Sequence, residues 1–155
     1  MQTFNLQQYQ NRLLSKLLVW SGLSLVAGLF LQVLRDPFGR GLGQQFAGWG
    51  LVDGLIALAG LSAARRQAVL PTTPVLSAQV YIDEGKDARN LQRLLTINSV
   101  LDVFYMAGGL QLMRSKGARD AYWRGSGLGI IIQAGFLFFF DLLHARRIPV
   151  SSTKR

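Results

Sequence analysis

The chain is predicted to be all-α, a polytopic transmembrane four-helix bundle made of two tandem helical hairpins in the same orientation. Three observations predict it. Four apolar stretches alternate with short polar connections, and half of the residues are hydrophobic while 16% are charged, against about 25% in a typical soluble domain. The Lys and Arg residues that produce the net charge of +9 sit almost wholly in the connections and tails. Finally, a shift of 81 positions lays residues 12–66 on residues 93–147 without a gap. Arg12-Leu13-Leu14 falls on Arg93-Leu94-Leu95, Gly28-Leu29 on Gly109-Leu110, and Ala64-Arg65-Arg66 on Ala145-Arg146-Arg147. Gly48 meets Gly129 and Gly54 meets Gly135, so the matches concentrate at helix ends and packing glycines.

The predicted spans are residues 13–34, 46–64, 94–112 and 127–143, each in or near the length of about 20 apolar residues that crosses hydrocarbon. The polar start with Arg12 and Lys16 resembles that of a signal peptide. The run that follows is too long for an h-region and has no small-x-small cleavage site, so it reads as an uncleaved first helix. Pro37, Gly39, Gly41 and Gly43 are expected to break the chain between the first two spans, and Gly117, Gly125 and Gly127 to do so between the last two. Tyr122 and Trp123 are placed to anchor at an interface, and Arg65, Arg66, Arg146 and Arg147 to snorkel to headgroups. Residues 67–89 form the predicted linker, because Pro71 and Pro74 oppose continuous helix and Asp83-Glu84-Gly85-Lys86-Asp87 is a charge cluster. Asp87 is expected to cap the third helix. The whole chain, 1–155, is read as one integral membrane domain.

Lys and Arg number eleven at the N-terminus, linker and C-terminus taken together, against six in the two hairpin loops. Both termini are therefore expected on the cytoplasmic side. Cationic ends beside apolar spans suit anionic lipid headgroups, and no basic face or recognition motif suits nucleic acid. The chain has no cysteine and one histidine, which excludes disulfides, thiolate metal sites and bis-histidine haem ligation. No catalytic, metal-binding or cofactor-binding motif stands out, and no cofactor is expected. Gly125-Ser126-Gly127-Leu128-Gly129 lacks the preceding strand that a nucleotide fingerprint requires.

The informative residues are polar ones inside the spans. Asp53, Asn98, Asp102, Tyr105, Gln133, Asp141 and the span-end His144 form the candidate intramembrane polar site. A carboxylate at the bilayer centre costs about 2.5–3.5 kcal/mol on insertion scales, and the spans hold no Lys or Arg to pair with it. Water, hydrogen-bond donors or protonation must compensate. A rise of about 1.5 Å per residue places Asp53, Asp102 and Gln133 near mid-depth, and Asn98 with Asp141 about 8 Å further in. Pairing of Asp102 with Gln133 and of Asn98 with Asp141 is expected, as is an Asp141–His144 bond one turn apart. At the 81-residue offset Asp102 corresponds to Ser21 and Asp141 to Gly60, so the polar residues are not shared by the repeats. Gly50 with Gly54, Ser24 with Gly28, and Gly125 with Gly129 are small-xxx-small pairs expected at helix contacts.

The pattern Asn98-x-x-Leu101-Asp102-x-x-Tyr105-x-x-Gly108-Gly109 resembles one in a family of small uncharacterised bacterial membrane proteins, as does the run from Gly127 to Asp141. Trp49 and Asp53 stand where that family often has Trp and Asn, so Asp53 is a departure. The resemblance implies a four-helix protein of the bacterial inner membrane with no activity to carry over. Three functional readings follow. The leading one is a non-enzymatic membrane protein whose polar core supports packing, self-association or a partner contact. The alternative is a small proton-coupled or ion-conducting transporter using Asp53, Asp102 and Asp141. An enzyme acting on lipid or quinone stands third.

Overall fold

The computed structural model describes residues 5–34, 36–67 and 74–149, and only the backbone of 67 and 74–84. Four α-helices follow one another: α1 (Leu6–Val33), α2 (Pro37–Gln67), α3 (Pro74–Arg114) and α4 (Ala121–Arg147), with a 3₁₀ turn (Lys116–Ala118) before α4. No strand occurs among the described residues.

Helix starts are set by short polar side chains. Asn5 caps α1 by accepting from the Gln8 N–H at 2.8 Å, and Asp120 caps α4 by accepting from the Tyr122 N–H at 2.8 Å. Asp36 accepts from the Gly39 N–H at 2.6 Å, and Pro37 occupies the first turn, where its missing N–H costs nothing. This corrects the first expected break. Pro37, Gly39, Gly41 and Gly43 lie in the opening turns of α2, and the connection is confined to the few residues around Asp36. Gly125 and Gly127 likewise belong to α4.

The largest departure is in α3. It begins at Pro74, so most of the expected linker 67–89 is helical and the run from Asp83 to Asp87 lies within the helix. Asp87 is therefore no cap. Pro74 forbids a helix before it more than after it, since proline fits a first turn. Pro71 lies outside the described residues.

Packing glycines set the layout. A Cβ on Gly28 would lie 2.7 Å from the Gly43 carbonyl, one on Gly50 2.9 Å from that of Ser21, and one on Gly60 2.7 Å from Leu14. Late residues of α1 thus meet early residues of α2, and the two run antiparallel. Gly109 and Gly127 do the same for α3 and α4, with a Cβ on Gly109 falling 2.7 Å from the Gly127 carbonyl. Between α2 and α4 the order is parallel: side chains on Gly41 or Gly125 would collide with the backbones of Tyr122 and Phe38 respectively. Small residues allow this closeness of the helix backbones. So α2 and α4 are the central pair, α1 flanks α2 and α3 flanks α4.

One buried apolar cluster joins the first half of α1, the middle of α3 and the later parts of α2 and α4. It contains Leu6, Leu13, Leu17, Ala57, Ala88, Leu95, Phe140, Ala145 and Ile148. The outer surface is also apolar. Val19, Leu23, Val26, Phe30, Leu55, Ile56, Phe104 and Phe139 are each more than half exposed, far beyond the scattered apolar residues of a water-facing surface. Three helices, α1, α2 (Pro37–Arg66) and α4, are long and apolar enough to cross a membrane. The apolar part of α3 carries Asn98, Asp102 and Gln111.

Candidate functional site: an intramembrane polar core

Two interfaces hold the polar residues. Between α1 and α4, Gln133 is fully buried and its amide uses both ends on α1. Its Oε1 accepts from the Trp20 indole N–H at 3.0 Å, and its Nε2 donates to the Ser24 hydroxyl at 3.1 Å. The Trp20 ring stacks on Phe136, with centroids 3.7 Å apart and planes 10° from parallel. Ser21, one residue on from Trp20, donates to the Gly50 carbonyl at 2.6 Å and so ties α1 to α2 as well. The expected Asp102–Gln133 pairing is overturned: Gln133 faces α1. Depth and helical face leave two neighbours open to a residue on α4, and helical periodicity alone does not say which one it meets.

Between α2 and α3 the chemistry is different. Asp53 and Asp102 are both 4% exposed, and the Oδ2 atom of each is buried without a hydrogen-bond partner. The two carboxylates are near enough for the charge of one to act on the other, and both act on Asp141 of α4. Asn98 approaches Asp141 closely enough to serve it as a hydrogen-bond donor, while the rest of its side chain is exposed. No Lys or Arg figures among the groups acting on these three carboxylates. One turn away on each helix, Trp49 and Tyr105 meet edge to face at 5.3 Å between centroids. Tyr105 is 47% exposed and lies at the rim of this region.

His144 closes the other end of α4. Its Nδ1 lies 2.6 Å from the Phe140 carbonyl, four residues back, and not on Asp141 as expected. The helix geometry explains this, since a side chain in the last turn reaches its own i−4 carbonyl most easily. The Tyr9 hydroxyl donates to the His144 carbonyl at 3.0 Å, and the Gln92 amide to that of Ala145 at 3.1 Å. These satisfy end carbonyls of α4 that have no helical partner.

Of the residues picked out from sequence, Asp53, Asp102, Asp141, Gln133 and His144 are buried, whereas Asn98 is largely exposed and Tyr105 is at the rim; Trp20 and Tyr9 were missed, and Ser24 was read only as a packing residue. Trp20 and Ser24 lie four residues apart on one face of α1, which is the signal that was available. Two cavities lie elsewhere. An open pocket of about 470 Å³ is lined by Gln32, Arg40, Gln44 and Tyr122, the last donating from its hydroxyl to Gln44. Another, of about 530 Å³, is an apolar groove lined by Leu18, Leu55, Leu58 and Leu61 with Arg65 at its edge. No three His, Asp or Glu side chains among the described residues are grouped as metal ligands.

The chain belongs to a family of unknown function, DUF6992, which it matches over residues 16–142. The match takes in every member of the polar core except Tyr9 and His144. No curated protein and no solved structure matches the chain.

Proposed function

We propose that this chain is a multi-pass protein of the bacterial cytoplasmic membrane, built from two tandem hairpins in the same orientation with both termini cytoplasmic. Its role is non-enzymatic: the intramembrane polar residues hold the helices in register and support self-association or contact with a partner. The exposed apolar belt and the distribution of Lys and Arg support the membrane reading. Support for the tandem arrangement comes from Gly41 and Tyr122, positions 81 apart that touch each other at the α2–α4 contact. Residues related by a two-fold axis meet in this way only where the axis passes between them. Four helices then cross the membrane, α3 among them, and Arg65, Arg66, Arg146 and Arg147 meet anionic headgroups on the inner side.

The observation that carries the functional reading is the Trp20–Gln133–Ser24 contact. A fully buried amide with both ends bonded to one neighbouring helix is a register device, because sliding α1 along α4 would strand three polar groups in hydrocarbon. Two measurements test the reading. In the cysteine-free chain, Ala63→Cys and Ala118→Cys place single thiols at exposed positions near opposite ends of the bundle. An impermeant reagent added outside intact cells should label Ala118→Cys and spare Ala63→Cys; the reverse pattern would overturn the orientation. A Gln133→Leu variant should enter the membrane yet lose chain-to-chain or chain-to-partner crosslinking; undiminished crosslinking would refute the assembly role.

A further inference from the structure

Asp53, Asp102 and Asp141 raise a question that packing alone does not answer. The charge of Asp53 acts on Asp102 and both act on Asp141, and the Oδ2 atoms of Asp53 and Asp102 are buried with nothing donating to them. The surrounding elements offer no remedy. From α1, Ser21 has given its hydrogen to the Gly50 carbonyl. From α4, Gln133 has turned both ends of its amide to α1. From α3, Asn98 serves Asp141. At the ends of α1 and α4, the charges of Lys16 and Arg147 act on His144. An uncompensated carboxylate costs several kcal/mol in a low-dielectric interior, and the bundle holds more than one.

We propose that Asp53 and Asp102, with Asp141 behind them, form an intramembrane binding site for one small monovalent cation. The ligand is a hard cation taken by carboxylate oxygens, either a proton or an alkali-metal ion. A divalent ion fits poorly, because it demands more converging oxygen ligands than the two free ones, and no metal-ligand group of three occurs among the described residues. The α2–α3 side of the bundle is less sealed than the α1–α4 side. At the positions that correspond through the 81-residue offset, Gln133 is 0% exposed and Val52 is 50%, and Ser24 is 2% exposed and Tyr105 is 47%. What closes the α1–α4 interface is missing from α2–α3, where Val52, Leu101 and Tyr105 stay about half exposed. This site goes beyond an assembly role and does not depend on it, requiring only that the bundle be folded in lipid.

Infrared difference spectroscopy on the full chain in lipid nanodiscs tests the site. Spectra are compared between two pH values, and at fixed pH before and after addition of NaCl or KCl, with choline chloride controlling for ionic strength. The expected result is a carboxyl carbonyl band that responds to at least one of these cations and is removed or weakened at least tenfold in cation sensitivity by Asp102→Asn. Asp53→Asn serves as the second variant should the first not fold, and circular dichroism in the same nanodiscs reports folding. A response to pH without one to Na⁺ or K⁺ identifies the proton; a response to Na⁺ or K⁺ that competes with pH identifies the alkali ion. A folded protein whose carboxyl bands respond to none of them, or respond unchanged in both variants, overturns the proposal. Crosslinking of the Gln133→Leu variant is read separately, so failure of the assembly role and failure of the cation site remain distinguishable.

Discussion

The α1–α4 and α2–α3 interfaces use positions that an offset of 81 residues pairs in the sequence, yet they are built to opposite rules. Where α1 presents Trp20, Ser21 and Ser24, α3 presents Leu101, Asp102 and Tyr105; where α4 presents Gln133 and Ala134, α2 presents Val52 and Asp53. The first interface is closed, and every polar atom of Gln133 finds a partner across it. The second keeps two carboxylates buried with unpartnered oxygens behind half-exposed apolar side chains. The same helical scaffold thus tolerates both a satisfied polar contact and an unsatisfied one. The glycine contact of α2 with α4, common to both halves, is what holds the difference in place. An unsatisfied buried group persists only where the surrounding packing leaves it no escape.

The contrast can be broken first at its shared axis. Gly41→Leu drives a side chain into the Tyr122 backbone, and Gly125→Leu does the same at Phe38. Each should cost about 3 kcal/mol or more and leave little folded protein, as measured by thermal unfolding in detergent. Gly48→Leu is the control, because nothing lies within 4 Å of a Cβ there. If Gly41→Leu melts like Gly48→Leu, α2 and α4 are not in backbone contact.

Next in size is the closed interface. Gln133→Leu leaves the Trp20 indole N–H and the Ser24 hydroxyl without partners in the interior, and should lower stability by about 1–3 kcal/mol. Adding Trp20→Phe removes one stranded donor, so the double variant should recover part of that loss. A strictly additive double variant would show that the two side chains do not meet.

The open interface should respond with the opposite sign. Asp53→Asn and Asp102→Asn each replace an unpartnered acidic group by a neutral one of the same shape, and should raise the unfolding midpoint by an amount on the order of 1 kcal/mol. Saturating the protein with the cation that it binds should shrink that gain, because the bound ion compensates the same charge. A loss of stability in both variants would mean that donors already satisfy the carboxylates.

The smallest effect belongs to Ser21, the counterpart of Asp102. Its hydroxyl makes one bond to the Gly50 carbonyl, and Ser21→Ala should cost about 0.6 kcal/mol, the average for an interhelical bond in a membrane protein. A much larger loss would mean that the small residues here carry packing strain as well.

How far this was legible in the sequence differs by feature. Apolar runs of spanning length and the clustering of Lys and Arg at their ends reflect the bilayer as solvent, and that constraint acts on each segment separately. For that reason four helices could be read directly, of which α1, α2 and α4 are long and apolar enough to cross a membrane. Helix ends were less legible. Proline and glycine were read as breaks at Pro37, Gly39, Gly41, Gly43 and Pro74, whereas Asp36 supplies a cap and proline is welcome in a first turn. Glycine in these helices serves contact between backbones and not interruption.

The sequence by itself also marked the three buried carboxylates and Gln133, because a charged or amide side chain within an apolar run stands out without any knowledge of its neighbours. Which partner each of them meets was decided by tertiary structure alone. Gln133 lies on α4, and its bonds go to Trp20 and Ser24 because α1, packed on α2, turns these side chains toward α4. Asp53 and Asp102 approach each other because Gly41 and Gly125 bring α2 and α4 together while α3 packs on α4 through Gly109 and Gly127. A partner choice depends on where several helices lie at once, and a pattern read along one helix carries no information about the others' rotation or separation.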